Sequence, residues 1–302
     1  MTIWQLHLLN ARGDLTVIMA EIRAHAREVL ALVEARLDVP RFDLVVRVGD
    51  DVIPEWGIGG RAPARGVIEL VVDPARLAPE HFRRTLVHEL HHLARWEGPG
   101  YGRSLGEALV SEGLAGHFVT EILGGPADPW DQVRPGAGVL KQAASLWARP
   151  DYDHGAWFFG RGKMRKWTGY GLGHRIVAEH MAEGETAAAL VHAPADAFRA
   201  ALRRLMAADG VELTEEEEAA LVLAEAGAEA SRDDRGASPP EPPGYLSTED
   251  EARELPSAGA AEEEKAEEAA GEGAAEMGLP RDRGHEDGQR EVEAEDQEDR
   301  AQ

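Results

Sequence analysis

The sequence predicts an α+β fold, mainly helical, with a small sheet placed before the helix that carries its most informative motif. Three observations support this: a long amphipathic segment near the N-terminus, two β-branched runs bounded by turn residues, and four later stretches with apolar residues at helical spacing.

The elements follow in order. From Asp14 to Leu37, the residues Leu15, Ile18, Met19, Ile22, Val29, Leu30, Val33 and Leu37 mark the buried stripe of a long helix, with Asp14 placed as its N-cap. Phe42 to Val48 and Val67 to Val72 read as strands, and Gly57, Gly59 and Gly60 between them as a flexible turn. Pro79 to Trp96 is a helix with Phe82, Leu86, Leu90 and Leu93 on one face. Pro79 sits in its first turn, where the missing N–H costs nothing. A second helix spans about Leu105 to Leu123 and stops at Gly124-Gly125. Connections rich in Pro, Gly and Trp come next, then helices from Leu172 to about Ala182 and from Ala195 to Ala208.

With 302 residues, 43% of them apolar, the chain can bury one substantial core, so one folded domain (1–225) and an appendage (226–302) are expected. The absence of cysteine excludes disulfides, thiolate metal sites and a cysteine nucleophile, leaving His, Asp and Glu as metal ligands. Neither a leader-like N-terminus nor an apolar run long enough to span a bilayer is present, so a soluble, cytoplasmic protein is expected.

Charge is unevenly distributed. Residues 231–302 hold 23 acidic and 8 basic side chains, so they carry −15 of the net −24. Proline at Ser238 to Gly244 and runs such as Glu262-Glu263-Glu264 give this stretch the composition of a disordered acidic tail. It suits a solvated tail, and recruitment of a basic partner stays open. Neither part has the basic stripe that nucleic acid or an anionic membrane would require, so no nucleic-acid or membrane partner is expected.

His88-Glu89-Leu90-His91-His92 fits H-E-x-x-H. A helix turns about 100° per residue, so His88 and His92 share a face and can hold one ion, with Glu89 beside it to accept a proton. About 0.05 accidental matches are expected in a chain of this composition, so the motif needs independent support. Glu112 supplies it. It lies on the next helix among Ala108, Leu109, Ala115 and Gly116, where an ionised carboxylate calls for a compensating cation. Two His and one Glu form a known catalytic zinc set that leaves a position for water.

The motif, followed by Glu112 within Ser111-Glu112-Gly113-Leu114-Ala115, resembles the zincin metalloproteases whose third ligand is a glutamate on the following helix. Ile53-Pro54-Glu55 leading to Gly59-Gly60, then Trp157-Phe158-Phe159-Gly160 and Gly169-Tyr170-Gly171-Leu172-Gly173, resemble a bacterial family of predicted zinc-dependent proteases. The resemblance runs in order from about Ile53 to Val177. It implies a zincin-like domain with one zinc per chain on His88, His92 and Glu112, Glu89 as general base, and a peptide or protein substrate. Glutamate zincins often carry an acid four positions after the third ligand to orient a zinc histidine. Here that position is Gly116, and Glu107 is the candidate substitute.

Tyr170 and His174 are candidates for stabilising a developing oxyanion. His91 and His117 fall off the ligand faces and are expected to be ordinary polar positions. Asp153 and His154 lie in a loop where substrate contact and turn chemistry are equally served. Trp56, Trp157 and Trp167 are expected in the core or a cleft wall. The extended segment around Gly57 to Gly60 would, by analogy, be a substrate-side edge. The function read from these residues is a zinc metallopeptidase. The alternative is a zinc-stabilised, non-catalytic scaffold that uses its acidic tail to bind a partner.

Overall fold

The computed structural model describes residues 2–211 together with Thr214 and Ala219, all in one compact unit. The expected domain boundary at 225 and the tail at 226–302 lie outside the described residues.

The fold is α+β. Strands β1 (Trp4–Leu9), β2 (Phe42–Val48), β3 (Ile58–Ala64) and β4 (Val67–Val72) form a single sheet in the order β1-β2-β4-β3. The first three neighbours in that order are parallel, and β3 runs antiparallel to β4 at one edge. Alternation in β2 buries Phe42, Leu44 and Val46 on one face, as a half-covered sheet requires.

Helix α1 (Met19–Glu34) packs on α2 (Pro79–Arg95), and α2 also lies against β3 and β4. On its other side α2 meets α3 (Leu105–Leu123), which packs extensively on α5 (Thr168–Met181). Helices α4 (Ala137–Leu146) and α6 (Arg199–Ala208) complete the helical half. Thus α2 stands between the sheet and the other helices, and thirteen of its seventeen residues are buried.

Several boundaries match the sequence reading, and the departures have physical reasons. Asp14 does not cap α1. The helix begins at Met19 after a series of turns, with no side-chain cap at Ile18, and Asn10 Oδ1 accepts the Leu15 N–H. The glycine segment 57–60 is not simply a turn. Gly59 and Gly60 lie within β3, where pairing with β4 overrides poor strand propensity. Helix α5 starts a turn earlier than expected and includes three glycines. The helix expected from Ala195 divides into a 3-10 turn (Ala195–Phe198) and α6.

Gly113 of α3 and Gly173 of α5 are explained by how closely these helices cross. A Cβ on Gly113 would stand 2.3 Å from the Gly173 carbonyl oxygen, and one on Gly173 would stand 2.1 Å from that of Leu109. Only hydrogen fits at this crossing.

Candidate metal centre

Helix α2 starts cleanly because Pro79 occupies its first turn, and its apolar face docks on the sheet and on α1. This rotation turns His88, Glu89 and His92 inward. Helix α3 is fixed by a capping box: Ser104 accepts the Glu107 N–H, and the Glu107 carboxylate accepts the Ser104 N–H. The α3–α5 crossing holds its middle, where Glu112 faces α2.

The three expected ligands come together. His88 Nε2 is 3.0 Å from Glu112 Oε2 and 3.0 Å from His92 Nε2, and His92 Nε2 is 3.5 Å from Glu112 Oε2. One donor atom from each residue lies within 4.8 Å of the others, so the group could hold a metal ion. All are buried, with exposures of 2% for His88, 8% for His92 and 5% for Glu112. Two imidazole nitrogens converging with a carboxylate oxygen in a buried place fit a cation that prefers nitrogen and oxygen ligands.

The electrostatics show strong coupling. Burial works against charge on His88, but the Glu112 hydrogen bond and charge, with help from Glu89 and Asp131, raise its pKa to about 9. Burial likewise works against charge on Glu112. The His92 charge and hydrogen bonds to both histidines prevail and hold the carboxylate well below its usual range. Burial lowers the His92 pKa, with Glu112 opposing.

Glu89 is 1% exposed, and neither carboxylate oxygen has a hydrogen-bond partner among the described residues. Burial pushes its pKa up to about 8, with His88 lowering and Glu112 raising it. The space for this side chain comes from β3: a Cβ on Gly60 would lie 2.8 Å from Glu89 Cγ and Oε1.

Residues 20–200 match the family model described as a predicted Zn-dependent protease (DUF2268). The chain belongs to this family. The matched region contains the whole candidate ligand group, and membership bears out the resemblance to a family of predicted zinc-dependent proteases. No match is found among curated proteins.

In this predicted zinc-dependent protease, two further side chains surround the ligands that sequence reasoning did not single out. Tyr101 donates its hydroxyl to Glu112 Oε1 at 2.8 Å, leaving Oε2 turned to the histidines. Its only sequence signal is a position between glycines, Gly100 and Gly102, just after the motif helix. Asp131 is the second. It is 4% exposed, both its oxygens lack hydrogen-bond partners among the described residues, and its charge acts on His88. Its Oδ2 lies 2.6 Å from where a Cβ of Gly116 would stand, so the missing side chain on α3 makes room for an acid from the following loop. Arg84, on α2, secures that loop through Asp128 and the Pro126 carbonyl. Glu107, expected in the orienting role, instead caps α3, while Ser111 Oγ lies 3.1 Å from His92 Nδ1.

Tyr170 is buried edge-on against Phe158. His174, about one turn further along α5, stacks on His117 at 3.7 Å, and its carbonyl is 2.9 Å from His117 Nε2. His91 is not a partly exposed polar residue: it is fully buried, with Nε2 3.3 Å from the Ala187 carbonyl. Asp153 Oδ1 accepts the Ala156 N–H, which is turn chemistry, and the His154 ring lies 6.4 Å from that of Tyr101. Trp56 and Trp157 are buried, and Trp167 is half-buried against Trp130. No helix among the described residues is long and apolar enough to cross a membrane.

Proposed function

We propose that the chain is a zinc metallopeptidase that hydrolyses peptide bonds with one zinc on His88, His92 and Glu112 and with Glu89 as general base. The observation that carries this reading is the Glu89 carboxylate: buried, without a hydrogen-bond partner among the described residues, and one residue from a convergent His-His-Glu group. A purely structural site has little use for a basic carboxylate kept in that state.

Zinc bound there supplies Lewis acidity, polarising a carbonyl and making water a better nucleophile near neutral pH. The protein's own residues do the rest. Glu89 accepts the proton from the attacking water and returns it to the departing amine. Burial makes its carboxylate a stronger proton acceptor than an exposed one. Tyr101 steers Glu112 so that one oxygen points at the histidines, and the charge of Asp131 acts on His88. Edge strand β3 receives the substrate backbone as an added strand beside Glu89. Tyr170 and His174 remain the two candidates to stabilise the developing oxyanion, and His174 stacks on His117.

The test is Glu89→Gln in the zinc-loaded chain. Elemental mass spectrometry is expected to find metal retained, while digestion of a peptide library, read by mass spectrometry, is expected to be lost. Full cleavage by this variant would sink the assignment. A zinc-stabilised scaffold would keep its function through the same change. Glu112→Ala is expected to lose the metal.

A further inference from the structure

Beyond the ligand group, the described surface contains a pocket of about 450 Å³ whose charge is opposite to that of the chain as a whole. Its lining includes Arg134, Arg161, Lys163 and Arg165 and not one acidic side chain, in a protein of net charge −24. Arg134, Lys163 and Arg165 form no ion pair with a carboxylate among the described residues, although 56 acidic residues are available in the sequence. Four of the six residues from Arg161 to Lys166 are basic.

The backbone that presents them is held. A single π-helical turn, Gly155–Phe159, precedes the basic segment. The Arg161 N–H donates to the Gly155 carbonyl at 3.2 Å and the Trp167 N–H to that of Phe158 at 3.1 Å, closing the segment onto this turn. The Arg161 side chain lies across Gly155, where a Cβ would stand 2.7 Å from its Cδ. Trp167 adopts a left-handed conformation, φ 69°, that a non-glycine residue rarely takes.

The same turn leads toward the ligand group. Ala156 lines the pocket, and His154, two residues before it, lies beside Tyr101, which bonds Glu112. Thr168 lines the pocket as well, two residues from Tyr170.

We propose that this pocket is a carboxylate-binding subsite that takes an acidic side chain of the polypeptide substrate, so that the enzyme selects peptides with Asp or Glu to one side of the cleaved bond. This rests on the peptidase reading and adds a substrate class to it. Cations on a fixed backbone favour a carboxylate by direct pairing, and the remaining acidic surface repels an acidic peptide from elsewhere on the body.

The experiment uses the full chain carrying Glu89→Gln, so that peptide is not consumed, and fluorescence anisotropy of a labelled Glu-rich peptide and its Gln counterpart. The Glu peptide is expected to bind more tightly, and added salt to weaken it. Lys163→Ala with Arg165→Ala is expected to weaken it about tenfold, and Arg36→Ala, on an exposed position elsewhere, to leave it unchanged. Equal binding of the two peptides, or equal binding by the double variant, overturns the subsite. So does loss of binding with Arg36→Ala. The peptidase reading fails separately, through absence of cleavage of any peptide by the unaltered zinc-loaded chain.

Discussion

Asp131→Asn is expected to move stability and metal affinity in opposite directions. In the folded chain this carboxylate is buried, with no hydrogen-bond partner on either oxygen among the described residues. Burial, then the charge of Asp128, raises its pKa well above the usual carboxylate value, with His88 opposing. A raised folded-state pKa means that the group's ionisation destabilises the fold above that pKa, and that the penalty vanishes once the pH falls below the unfolded value. Replacing the acid by a neutral amide of similar shape removes a desolvation cost of about 2 kcal/mol at neutral pH. For a domain of this size that is roughly a 4 to 8 °C rise in melting temperature. Because the Asp131 charge acts on His88, the same change is expected to lower zinc affinity by about 10- to 100-fold. Calorimetric melting of the metal-free chain at about pH 7.5 and about pH 4, with a competitive zinc titration at the higher pH, reads both effects. The stability gain should shrink on acidification. A variant that melts below its parent at neutral pH, or binds zinc equally well, refutes the reasoning.

Three further outcomes follow from the packing. Gly60→Ala puts a methyl group 2.8 Å from Glu89 Cγ and Oε1 and from Thr85 Cγ2. It should cost about 1 to 3 kcal/mol and cut turnover about 100-fold with zinc content unchanged, and parental turnover contradicts it. Gly113→Ala forces α3 from α5, because its Cβ meets the backbone of Gly173 at 2.3 Å. A loss of about 3 kcal/mol or more is expected in urea unfolding, and an unchanged midpoint would show that the helices yield freely. The His174 pKa is lowered to about 3, by burial first and then by His117. Its contribution to stability is therefore full above the unfolded value and declines as the pH falls toward the folded one. At about pH 5 this amounts to up to about 2 kcal/mol. His174→Leu should flatten the difference between urea midpoints at about pH 7.5 and about pH 5, and an unaltered slope assigns the acid sensitivity elsewhere.

What could be read from the sequence was what local chemistry specifies. Helix α3 ends at Gly124, a stop signal within its own segment, whereas the capping box at its start, Ser104 with Glu107, went unread because Glu107 was assigned an orienting role. Strands β2 and β4 are β-branched runs, and their boundaries match the structure. The metal motif depends on the pitch of one helix, and Glu112 on the small residues around it. Strand β3 was obscured because Ile-Gly-Gly-Arg-Ala-Pro-Ala has poor intrinsic strand character, and its glycines answer to Glu89 and Asp51 across space. Strand β1 pairs only with β2, and its residues alternate between exposed and half-buried without any being fully buried, which gives a weak signal. Asp131 was hidden by distance. Gly116 announced that an acid was missing from α3, but the replacement enters from a loop that only tertiary structure brings there.

The candidate ligands His88, His92 and Glu112 occupy two successive helices joined by a short connection, whereas Gly173, the glycine beside Gly113, comes some sixty residues later. In a chain synthesised from its N-terminus, the sheet, α2 and α3 are complete before α5 exists. The coordinating groups are thus available while one flank of the centre is still open to solvent. On the proposed reading, capture of the ion and its enclosure become separate events ordered by the chain direction.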